Sequence, residues 1–202
     1  MGYDEKIFKA KANIKARRLW LVFAILLTAN YGTDTANGAY SVSNYIIFVI
    51  LCWLPFVCGD ILLKRKGKDN DHYRLAFVIG YGIFYVFLLC TTTSPIAFTY
   101  ILPIISLIVI FKDEKFMIYC AVANMLSLIA SIAFHIFVLG QNTAVDHKNY
   151  QLQIACLLLC YIGYIMSVRH LTESDAALTE SIKSDLNRVV TTVEQVKTAC
   201  TL

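Results

Sequence analysis

Apolar residues in this chain come in long blocks, and the charged residues fill the gaps between them. The blocks run Leu19–Tyr31, Tyr45–Leu63, Leu75 to about Thr93, about Ile96 to Phe111, Phe116–Leu139 and Tyr150–Val168. A helix crossing a bilayer needs about 17–25 residues, mostly apolar. The second, third, fifth and sixth blocks reach that length directly. The first is short and must recruit its flanks, with Arg17 and Arg18 snorkelling at one end. The fourth carries Pro103 and reads as a thin or tilted span, kinked where neighbouring helices satisfy the freed carbonyl.

The gaps carry an orientation signal. The N-terminal arm holds Lys6, Lys9, Lys11, Lys15, Arg17 and Arg18, and the third gap holds Lys64, Arg65, Lys66, Lys68 and Arg74. Lys112, Lys115 and the four basic residues from Arg169 onward complete one set of alternate segments; the other set holds Lys148 alone. A split of seventeen to one predicts six spans with both termini in the cytoplasm. Tyr31, Tyr40, Tyr45, Tyr100 and Tyr150 then fall at the outer ends, as an aromatic belt. The expected fold class is an all-α membrane protein of six transmembrane helices followed by a cytoplasmic coiled-coil helix. Its parts are a basic arm at 1–18, a six-span sensory region at 19–168 and a signalling helix at 169–202.

Composition agrees with that class. Of 202 residues, 58% are hydrophobic and 16% charged, against about 45–50% and 25% in soluble domains. The net charge of +4 is accounted for by the basic gaps and carries no expectation of nucleic-acid binding. The seven cysteines avoid the predicted outer loops, so no disulfide framework is expected. Cys156 and Cys160 share a helix face, but no nearby His or carboxylate completes a metal site; no metal and no cofactor are expected. The arm Lys6–Arg18 is mildly amphipathic and either lies on anionic lipid or serves as a topology anchor.

Ionisable groups within the blocks are few, and each is a candidate site. Asp60 lies one turn from the predicted cytoplasmic end with Lys64 at i+4, read either as an interfacial ion pair or as a proton or ligand site. His135 lies one turn from the outer end of its block, as an interfacial histidine or a sensor. Asn124 sits deeper and is expected to bond a neighbouring helix. Gly80 and Gly82 offer close backbone approach. There is no phosphate loop, no His-Glu-x-x-His and no convergent Ser, His and Asp, so no enzyme is expected. The blocks show no inverted repeat with paired broken helices.

After Val168 the chain changes character. Ile182, Leu186, Val189, Val193, Val196 and Cys200 are spaced 4, 3, 4, 3, 4, which is a heptad seam. Leu178 is one residue out of phase, so packing must shift between the membrane and the seam. The pattern is still running at Cys200-Thr-Leu202, and the sequence reads as the front of a longer protein. The stretch Ser184-Asp-Leu-Asn-Arg-Val-Val-Thr-Thr-Val-Glu-Gln-Val-Lys-Thr-Ala199 resembles the start of the cytoplasmic helical hairpin of methyl-accepting chemotaxis proteins. Glu194 and Gln195 resemble that family's paired methylation sites. The hairpin tip that docks kinase and adaptor has no counterpart here. The resemblance implies a bacterial cell-membrane receptor, homodimeric, transducing a stimulus through helix six toward a histidine kinase and adaptor in the missing C-terminal part. The alternatives are the sensor region of a histidine kinase or diguanylate cyclase, and a small transporter or channel subunit.

Overall fold

The computed structural model describes residues 3–92 and 94–200. It contains six α-helices and, among the described residues, no strand: α1 (Tyr3–Ala36), α2 (Val42–Lys66), α3 (His72–Thr91), α4 (Leu102–Ile108), α5 (Glu114–Phe137) and α6 (Ala144–Cys200). Four of them, α2, α3, α5 and α6, are long and apolar enough to cross a membrane. The apolar segment Ala97–Phe111 is shorter.

Local chemistry sets the ends. Ser41 caps α2, its hydroxyl accepting the Asn44 N–H at 3.2 Å, and Lys64, Arg65 and Lys66 occupy the last turn, where cations complement the helix dipole. Gly67 ends α2 at φ +93°, a conformation that favours glycine. Asp113 caps α5 by accepting the Phe116 N–H at 2.9 Å.

The basic arm and the first apolar block form the single helix α1. Its inner face is Ala12, Ala16, Trp20, Ala24, Leu27 and Tyr31, all buried, at helical steps of four and three. Small residues on that face admit close neighbours. Asn13, also buried, donates from Nδ2 to the carbonyls of Lys68 at 2.9 Å and Asn70 at 3.0 Å. The arm is therefore fastened to the loop between α2 and α3. Arg17 pairs with Asp60 of α2 at 2.5 Å.

Helix α3 forms the centre, burying eight of its twenty residues. At Gly80 it meets α2 so closely that a Cβ would lie 2.3 Å from the Cβ of Pro55. Gly82 makes no such approach: a Cβ there meets nothing within 4 Å, contrary to its sequence reading.

The fourth block is not one kinked helix. Ala97–Ile101 and Val109–Phe111 are 3₁₀ turns on either side of α4. Pro103 stands in the first turn of α4, where its missing N–H breaks no bond. With rises of about 2.0 and 1.5 Å per residue, the segment reaches about 26 Å. It lies against α3: Tyr81 donates to the Tyr100 carbonyl at 2.6 Å and Tyr85 to the Phe98 carbonyl at 3.0 Å.

The expected tyrosine belt is partly internal. Tyr31 is buried between Tyr40 and Phe48, with ring centroids 4.3 and 4.2 Å away and nearly parallel.

Candidate functional site

Four features chosen from the sequence can be placed. Asp60 is a junction between helices. Its carboxylate pairs with Arg17 of α1 at 2.5 Å and with Lys64 at 2.9 Å. Lys64 was legible as an i+4 partner; Arg17, forty-three positions away, was not. With both oxygens engaged by cations, Asp60 ties α1 to α2.

His135, in the last turn of α5, is 8% exposed. Its Nε2 lies 2.7 Å from the Leu89 carbonyl. A carbonyl only accepts, so Nε2 carries hydrogen and donates. Nδ1 faces the Gln141 side chain at 2.8 Å. The ring engages a carbonyl in the last turn of α3 and fastens α5 and the following loop to it.

Asn124 faces the neighbouring helix α6, where it was expected to bond. It is 7% exposed and lies beside Tyr161 of α6, yet its Nδ2 makes no hydrogen bond of normal geometry. It stands on the wall of a cavity of about 430 Å³ between α3, the fourth block, α5 and α6. Gly82 and Tyr161 also line this space. Periodicity could have drawn attention to Tyr161. It belongs to the buried face of α6, Leu157, Tyr161 and Val168, four residues beyond Leu157 and seven before Val168. Cavities are products of tertiary packing and leave no mark in a single sequence.

The seam is the fourth feature. Helix α6 is unbroken from Ala144 to Cys200, about 85 Å at 1.5 Å per residue. Every residue from Arg169 to Cys200 is exposed. Ile182, Leu186, Val189, Val193 and Val196 are 57–61% exposed and form an apolar stripe along one face.

Where α6 leaves the bundle it is held by charge. Arg169 donates to Glu114 at 2.5 Å and Lys112 pairs with Asp175. Close by, Arg74 pairs with Asp113 at 2.7 Å and Lys9 with Asp71 at 2.9 Å. The partners come from α1, the loop before α3 and its first turn, the turn before α5 and its first residue, and α6.

Among the described residues, no three His, Cys, Asp or Glu side chains gather as metal ligands would. No protein-family model, curated protein or solved structure matches the chain.

Proposed function

We propose that the chain is the membrane sensory region of a signalling receptor, with six spans and both termini on the cytoplasmic side of the cell membrane. A stimulus in the bundle shifts α6, and α6 carries the shift into a two-stranded coiled coil formed with a second copy. The observation that carries this reading is α6 itself. One uninterrupted helix contributes Tyr161 to the bundle and an apolar heptad stripe beyond it. The ion pairs support the orientation, because they join the arm, the α2–α3 loop, the turn before α5 and the start of the tail. Those are the segments the Lys/Arg asymmetry assigns to one side. The downstream partner of such a receptor is a kinase-type effector, by the resemblance of Ser184–Ala199 to chemotaxis receptors.

The phase of α6 provides the test. The register of its bundle face, Leu157, Tyr161, Tyr164 and Val168, continues through the exposed Leu171, Asp175, Leu178 and Ile182 in alternating steps of four and three. The step from Ile182 to Leu186 is a second four in succession, a stutter that locally unwinds a coiled coil. Deleting Lys183–Leu186 joins both registers into one continuous heptad series, whereas deleting Lys183–Val189 keeps the stutter and only shortens the helix. With a dimeric histidine-kinase output domain fused after Leu202 and assayed in membrane vesicles, the seven-residue deletion keeps the parent activity. The four-residue deletion changes it at least about fivefold, the low end of allosteric coupling. Equal activity in both deletions overturns transmission through α6.

A further inference from the structure

We infer that the cavity beside Asn124 is a binding site for an uncharged, membrane-soluble small molecule that presents a hydrogen-bond acceptor, such as a carbonyl oxygen, to Asn124 Nδ2. At about 430 Å³, it falls within the ~300–1,000 Å³ range of small-molecule sites. Its wall is mostly aliphatic and aromatic and holds no Lys, Arg, His, Asp or Glu, so nothing there compensates a charged ligand. Two tyrosines and a serine on the wall are already engaged. Tyr81 and Tyr85 donate to backbone carbonyls of the fourth block, and Ser127 donates to the Ala123 carbonyl at 2.9 Å. Asn124 Nδ2, beside Tyr161 of α6, is buried and makes no hydrogen bond of normal geometry. An unpaired amide N–H in such surroundings costs about 1–3 kcal/mol, and a ligand acceptor removes that cost.

The way in is lateral. Ile79 and Ile83, which line the cavity, are more than half exposed on the outer face of α3, the face turned to lipid in a membrane-embedded bundle. Gly82 between them has no side chain to close the gap. A molecule dissolved in the bilayer can enter between α3 and α5 and reach Asn124 and Tyr161. Because Tyr161 belongs to α6, occupancy bears on the transmitting helix; that coupling rests on the sensory reading above, while binding itself does not.

Benzophenone serves as the probe: it is uncharged, has two apolar rings and one carbonyl acceptor, and inserts into C–H bonds on irradiation. The full chain in lipid nanodiscs is irradiated at increasing benzophenone concentration, and labelled peptides are located by mass spectrometry. Labelling that saturates and is confined to Val78–Val86 and Cys120–Ser127 supports the site. Asn124→Leu keeps the side-chain bulk and removes the donor. It raises the half-saturating concentration about tenfold, as one hydrogen bond does in an equilibrium constant. Gly82→Leu, at a position open to a side chain, fills the cavity and abolishes saturation. Thermal unfolding verifies that both variants are folded. Linear labelling spread over all lipid-facing residues overturns the site. Unchanged affinity in Asn124→Leu overturns the acceptor requirement and points to an acyl chain as occupant. Interchain crosslinking along the seam in the same nanodiscs separates the two readings, because saturable labelling with unpatterned crosslinks defeats the receptor alone.

Discussion

At the scale of single residues, the two glycines of α3 make opposite demands. Gly80 faces Pro55 at a separation no Cβ tolerates, with the Trp20 ring 3.3 Å from the same point. Gly80→Ala therefore forces α2 and α3 apart and destabilises the bundle by about 1–3 kcal/mol, the range for overpacking. Gly82→Ala meets nothing and stabilises α3 by about 0.4–1 kcal/mol through the unfolded state. Thermal unfolding in one detergent checks both, and equal effects would refute the close approach. Asp60 makes a different prediction. Asp60→Asn leaves Arg17 and Lys64 without their shared anion and lowers the unfolding temperature, but it leaves the crosslinking pattern of the tail unchanged. An altered pattern at normal membrane levels would make Asp60 part of the signalling path. Asp113 links the fold to pH. Burial alone would raise its carboxyl, but the Phe116 N–H and the Arg74 guanidinium outweigh burial and hold it below the usual carboxylate value. A carboxyl lowered in the folded state contributes stability that is complete above the unfolded value, about 3.9, and lost as pH falls through the folded one. Carboxyl NMR should show Asp113 titrating below that value, and Arg74→Ala should move it upward; no movement would remove Arg74 from the account.

Among elements, what the sequence disclosed depended on whether the signal was periodic or spatial. The long blocks became α2, α3, α5 and α6 because sustained hydrophobicity leaves a helix as the economical way to satisfy the backbone. The break at Leu178 was visible as spacing, and it is the boundary between the bundle face and the seam on one continuous helix. The fourth block was read as one kinked helix because the fit of Pro103 in a first turn depends on where the preceding 3₁₀ turn lies, and that turn is held by Tyr81 and Tyr85 of α3. The burial of His135 and the bonding position at Asn124 likewise depend on partners far along the chain: the Leu89 carbonyl for one, Tyr161 beside the other. Residue type marked both as candidates, but only packing shows that one is saturated and the other is not.

For the whole molecule, the proposal joins two halves of α6 that face different surroundings. Its bundle half is packed against α5, and the half beyond Arg169 stands clear with its apolar stripe bare. A stripe of fewer than three heptads is too short to hold a helix pair in solution; tethering by the membrane bundle raises the effective concentration of each partner. The orientation that tethering requires can be read with reporter fusions: Ala36 and Thr143 should report outside, and Lys68 and Lys183 inside. An outside signal at Lys68 would contradict the six-span arrangement. The central claim is that two copies of α6 meet along the seam, and single cysteines test it most directly. In a chain freed of its native cysteines, Val189→Cys and Val196→Cys should crosslink between copies in native membranes, and Lys183→Cys and Glu194→Cys should crosslink far less. Equal crosslinking at all four positions would mean that no ordered seam exists, and would contradict the account.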